Sequence, residues 1–149
     1  AFSKAGVEAP LLFEAVAVEA RARIAAFTPQ NLAKTAWAYS KLGVAAPLLF
    51  EVLAAESAQK ISLFTPQELA STAGAFAKAG FEAPSLFEAI AAEAPKKIAK
   101  FDPQALANTV WAFTKAGVDA PLLFEAVAAE SSKKIAAFNP QELANTAWA

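Results

Sequence analysis

The 149 residues carry 13 basic and 14 acidic side chains, no histidine and no cysteine, and 56% of them are hydrophobic, much of that alanine. A net charge of −1 draws the chain neither to nucleic acid nor to a basic partner in bulk, so any electrostatic site must be local. Without Cys or His there are no disulfides, no thiolate or imidazole metal ligands, and none of the commonest nucleophile and base combinations. Glu, Lys or Pro interrupts every apolar run well short of the ~18 residues that cross a bilayer, so no membrane insertion is expected.

One stretch recurs at a fixed spacing. Phe27, Phe64, Phe101 and Phe138 stand 37 residues apart and open FTPQNLAKTAWAYSKLG, FTPQELASTAGAFAKAG, FDPQALANTVWAFTKAG and FNPQELANTAWA. A period of this length specifies architecture before it specifies function. Residues 1–6, AFSKAG, match Ala38–Gly43, and the final AWA matches Ala36–Ala38, so both ends fall inside the same helix of the repeat. The expectation is a single array over residues 1–149, a window from a longer chain without polar capping repeats.

Taken in chain order, each repeat has two helix signals. The first begins at Pro10, Pro47, Pro84 and Pro121 and runs through LLFEAVAAE-like segments to Ile24, Ile61, Ile98 and Ile135. Proline suits a first turn, where its missing N–H costs nothing and its φ is already helical. Glu19 with Arg23, Glu56 with Lys60, Glu93 with Lys97 and Glu130 with Lys134 stand four apart in the favourable order, which reads as helix support on a surface. Pro95 sits well inside the third of these helices, where it removes a backbone hydrogen bond and clashes with the preceding turn, predicting a kink or an early end.

The other helix starts after Phe27, with Thr28 as N-cap and Pro29 at the first helical position; Thr65, Asp102 and Asn139 repeat the cap. Glu68 and Glu142 supply capping-box acids, and Gly43, Gly80 and Gly117 stop the helix after about fourteen residues. Leu32, Ala36, Tyr39 and Leu42 share one face of this helix, and Phe50, Leu53, Ser57 and Ile61 one face of the next, so the two faces are expected to meet. One hairpin has too little core to stand alone. Stacking on neighbours therefore predicts an all-α chain, an α-solenoid of two-helix repeats in a right-handed superhelix rather than a compact bundle.

The residues pointing away from these faces form a stripe at i, i+4, i+7 and i+11. It reads Gln30, Lys34, Trp37, Lys41; then Gln67, Ser71, Gly74, Lys78; then Gln104, Asn108, Trp111, Lys115; then Gln141, Asn145, Trp148. Stacking turns these into columns, with Lys4 beginning the lysine column. Such columns suit a single strand of RNA: lysines meet phosphates, indoles stack on bases, and the amides and hydroxyl of the second column face base edges, one repeat per base. The same residues also have structural readings. Lysine near a helix C-terminus is favoured by the macrodipole, tryptophan packs between repeats, and glutamine binds neighbouring backbone. Glutamates such as Glu14 and Glu125 recur in every copy, whereas a catalytic pair occurs once in a shaped pocket, and no phosphate loop or metal spacing is present. No catalytic residue, metal, cofactor or small-molecule substrate is expected.

The strings FTPQNLAKTAWAYSKLG and FDPQALANTVWAFTKAG, followed by APLLFEAVAAE, resemble the octotricopeptide repeats and the similar 37-residue heptatricopeptide repeats over the whole chain. The resemblance implies paired-helix solenoids of organellar, RNA-binding proteins, many followed by a RAP domain. By analogy Lys34, Ser71, Asn108 and Asn145 face RNA, while Gly74 departs from the tryptophan pattern. No RAP-like segment is visible, and no targeting segment is present in this sequence. Two functions follow as expectations: an RNA-binding module of an organellar RNA-metabolism protein, and a protein-binding scaffold subunit of a larger organellar complex.

Overall fold

Eight of the nine prolines open the eight α-helices of the described residues, 10–149, in the computed structural model. They are α1 (Pro10–Ala22), α2 (Pro29–Leu42), α3 (Pro47–Gln59), α4 (Pro66–Ala79), α5 (Pro84–Glu93), α6 (Pro103–Ala116), α7 (Pro121–Lys134) and α8 (Pro140–Trp148), with no strand among them. The expected copy at residues 1–6, with Lys4, lies outside the described residues.

The caps form as the sequence predicts. Thr28 Oγ1 accepts from the Asn31 amide at 3.1 Å, while the Thr28 amide donates to Asn31 Oδ1 at 3.0 Å, so Asn31 completes a capping box as Glu68 and Glu142 do. Asp102 accepts from the Ala105 amide at 2.7 Å. Gly43, Gly80 and Gly117 end α2, α4 and α6 at φ of 67°, 69° and 69°, the left-handed conformation that a Cβ disfavours.

The isoleucines end up just past the helices rather than inside them. Ile24–Ala26, Ile61–Leu63 and Ile135–Ala137 are single 3-10 turns, the tightened end of a helix whose last carbonyls have run out of N–H donors. The third copy differs as Pro95 predicts: α5 stops at Glu93 after 10 residues, and Ala94–Lys100 continues as a 3-10 segment of 7.

Two rows of helices result. α2, α4, α6 and α8 pack side by side in chain order, and α1, α3, α5 and α7 form the second row against them. Buried alanines on the first row, among them Ala36, Ala73 and Ala112, give its helices small contact faces. Leu32, Ala36, Tyr39, Phe50, Leu53 and Ser57 are buried as expected, and Leu42 and Ile61, near the helix ends, are half-buried. Between the rows runs a ladder of edge-to-face aromatic pairs: Phe13 with Tyr39 at 5.6 Å, Phe50 with Phe76 at 5.1 Å and Phe87 with Phe113 at 4.9 Å. Each contributes about 0.5–1.5 kcal/mol beyond its buried area. The Phe50 ring meets Phe76 of the following copy, so the two apolar faces interlock across repeats.

The Glu–Lys pairs do more than support their own helices. Lys60 Nζ donates to the carbonyls of Ala25 at 2.9 Å and Phe27 at 2.7 Å. Lys97 does the same to Ser62 and Phe64, and Lys134 to Ala99 and Phe101. Each lysine thus caps the 3-10 turn of the preceding copy while Glu56, Glu93 or Glu130 balances its charge at 3.1–3.4 Å. Arg23, at the same register, pairs with Glu19 at 2.6 Å. No helix among the described residues is long and apolar enough to cross a membrane.

Candidate nucleic-acid interface

At 3.6 residues per turn, positions spaced by four, three and four fall on one side of a helix, and the first row turns that side outward. Gln30, Gln67, Gln104 and Gln141 are exposed, as are Lys34, Lys41, Lys78 and Lys115; Ser71, Asn108 and Asn145 are half-buried. The indoles of Trp37 and Trp148 are 44% and 61% exposed, which leaves them outside the packed interior. Trp111 is half-buried and leans on the core.

One open groove of about 880 Å³ gathers most of this stripe. Trp37 enters it from α2, Gln67, Ser71, Gly74 and Lys78 from α4, Gln104, Asn108, Trp111 and Lys115 from α6, and Gln141 and Asn145 from α8. Buried Ala70 and Ala105 line it as well. Gln30, Lys34 and Lys41, on α2, stay outside the groove, as does Trp148.

The lysines of the groove are positioned by indoles. Lys115 Nζ lies 5.7 Å from the ring centroid of Trp111, one turn earlier on the same helix. Lys78 has Gly74 at that place and reaches instead to Trp37 of the preceding copy, 5.5 Å away. A cation over an exposed indole is worth about 0.5–1 kcal/mol, whereas a base stacked on an aromatic ring is worth about 1–3 kcal/mol. The ammonium groups are therefore held in the groove only weakly. Lys78 thereby has a tertiary partner besides the helix dipole, while the partner of Lys115 is local to its own helix.

Two of the four glutamines meet side chains rather than backbone. Gln141 Nε2 donates to Asn145 Oδ1 at 2.9 Å within α8. Gln67 Nε2 reaches Asp102 Oδ2 of the next copy at 3.5 Å, which puts an acid on the groove wall. Sequence reasoning treated Asp102 as a cap alone; the period carried the signal, since side-by-side helices set each N-cap near the preceding copy's glutamine.

A comparison with curated proteins finds no match. A family model described as RNA-editing substrate-binding complex 6 protein matches residues 1–148, and it is this family, not the octotricopeptide or heptatricopeptide repeats, that the comparison returns. Covered to all but its last residue, the chain belongs to the RNA-editing substrate-binding complex 6 protein family.

Proposed function

We propose that the chain is a segment of a right-handed α-solenoid that binds single-stranded RNA along the exposed face of α2, α4, α6 and α8. The carrying observation is the groove: two lysines, two indoles and the half-buried polar groups of Ser71, Asn108 and Asn145, drawn from successive copies, line one open channel. Ammonium groups suit phosphates and amides suit base edges, a division of labour that single-strand recognition uses generally. The family description, which names an RNA-editing substrate-binding complex, supports the same reading. No catalytic step, metal or cofactor belongs to it, and the compartment it implies is organellar.

A protein-binding subunit of a larger complex is the second reading, favoured by the apolar side chains that the described residues leave uncovered. Leu11 at 80% and Leu122 at 75% exposure are the largest examples. Fluorescence anisotropy with a labelled single-stranded RNA at low salt separates the two. The RNA reading predicts saturable binding that weakens as salt is added; absence of binding to any single strand leaves the scaffold reading.

A further inference from the structure

We propose that Gly74 opens a notch in the groove that seats one unstacked nucleobase of the bound strand; this rests on the RNA-binding reading above. The position is tryptophan in the other three copies, at Trp37, Trp111 and Trp148. Nothing in the fold asks for glycine there. Among the described residues the glycines with positive φ are Gly43, Gly80 and Gly117, so Gly74 has an ordinary helical backbone, and a Cβ built on it meets nothing within 4 Å. Glycine is the poorest helix former after proline, so this residue weakens α4 and gives only space in return.

The space has a specific setting. Trp37 and Trp111 line the groove from the helices on either side, and the indole that would continue their column is missing between them. Ser71, one turn earlier on α4, and Asn108 on α6 offer a hydroxyl and an amide to the edge of a flat ring. Lys78 and Lys115 place ammonium groups where the strand's phosphates pass. An aromatic side chain from a protein brings no anion for those two groups, which favours a base as the occupant.

The test uses the chain, Gly74→Ala and Gly74→Trp, titrated with a labelled mixed-sequence RNA and with the same RNA carrying a single abasic nucleotide at each position in turn. Gly74→Trp restores the residue that the other copies hold, so it should fold, and a thermal melt checks that it does. The notch predicts that Gly74→Ala binds like the parent, while Gly74→Trp binds roughly tenfold more weakly. It also predicts that the parent shows one abasic position of greatest loss and that Gly74→Trp is blind to it. Equal or tighter binding by Gly74→Trp, or a flat abasic profile for the parent, overturns the notch while RNA binding stands. Displacement of bound RNA from the parent, but not from Gly74→Trp, by a tryptophan-bearing peptide assigns the notch to a protein side chain and overturns it too. Failure of the parent to bind any RNA overturns the functional reading itself.

Discussion

Lys97 Nζ stands 2.8 Å from the carbonyl oxygen of Ser62, which belongs to the preceding copy, and 3.4 Å from Glu93 on its own. One ammonium thus ties two repeats together and neutralises a buried acid, since Glu93 is only 8% exposed. Lys97→Met should lower stability by about 2–3 kcal/mol, because hydrogen bonds to a charged donor are worth roughly 1.5–3 kcal/mol each and Glu93 loses the less exposed of its two lysine partners. Lys96 also pairs with Glu93, at 3.5 Å, but its side chain is 70% exposed. Lys96→Met should shift stability by no more than about 0.5 kcal/mol, as surface pairs do. Urea denaturation of both variants checks the contrast; equal effects would mean that the bonds to the preceding copy contribute nothing.

Two glycines on α4 and its cap should respond to alanine with opposite signs. Neither has an atom within 4 Å of a built Cβ, so backbone conformation alone decides. Gly80, at φ 69°, should lose about 1–2 kcal/mol on Gly80→Ala, the cost of forcing a side chain into the left-handed region. Gly74 lies inside the helix, and Gly74→Ala should gain about 0.5–1 kcal/mol. Denaturation midpoints moving in the same direction would contradict the backbone assignments.

The hydroxyls of Ser57 and Ser131 are buried without a hydrogen-bond partner, and the same register holds Ala20 and Ala94 in the alternate copies. Ser57→Ala should therefore be neutral or stabilising by up to about 1 kcal/mol, since it removes a desolvated group and keeps the packing that alanine already satisfies elsewhere. A clear loss of thermal stability would show that the hydroxyl has a partner.

Tyr39, the chain's one tyrosine, donates its hydroxyl to the Phe13 carbonyl at 2.6 Å, and burial pushes its pKa above the usual phenol range. Below about pH 10 the phenol is neutral in both folded and unfolded chains. As the pH climbs further the unfolded chain ionises first, so this group's contribution to stability falls towards the folded-state pKa. Comparing the chain with Tyr39→Phe at each pH cancels every other titrating group. Tyr39→Phe should be less stable by about 1 kcal/mol at neutral pH, and its deficit should shrink above about pH 10. Phenolate absorbance of the folded chain should rise late by the same argument.

Helix boundaries were legible in the sequence because their causes are local: Pro29 starts a helix, Thr28 caps it and Gly43 ends it within one stretch of chain. Pro95 was legible for the same reason. The lysine tie was not, because Glu93 and Lys97 satisfy the four-residue rule by themselves, and nothing local says that the ammonium reaches Phe64. The stripe was found by period, but the groove draws on α4 and α6 more fully than on α2, leaving Gln30, Lys34 and Lys41 aside. The partner of Lys78 was hidden as well, since only the side-by-side packing of α2 and α4 brings Trp37 to it.

The salt dependence of RNA affinity tests the central claim most directly. Single-strand binding loses counterions with a slope near −0.7 per neutralised phosphate in log affinity against log salt. The account predicts measurable binding by the chain and, for the Lys78→Gln, Lys115→Gln double variant, weaker binding with a slope shallower by about 1.4. Identical slopes for the two proteins, or no affinity for single strands at low salt, would contradict it.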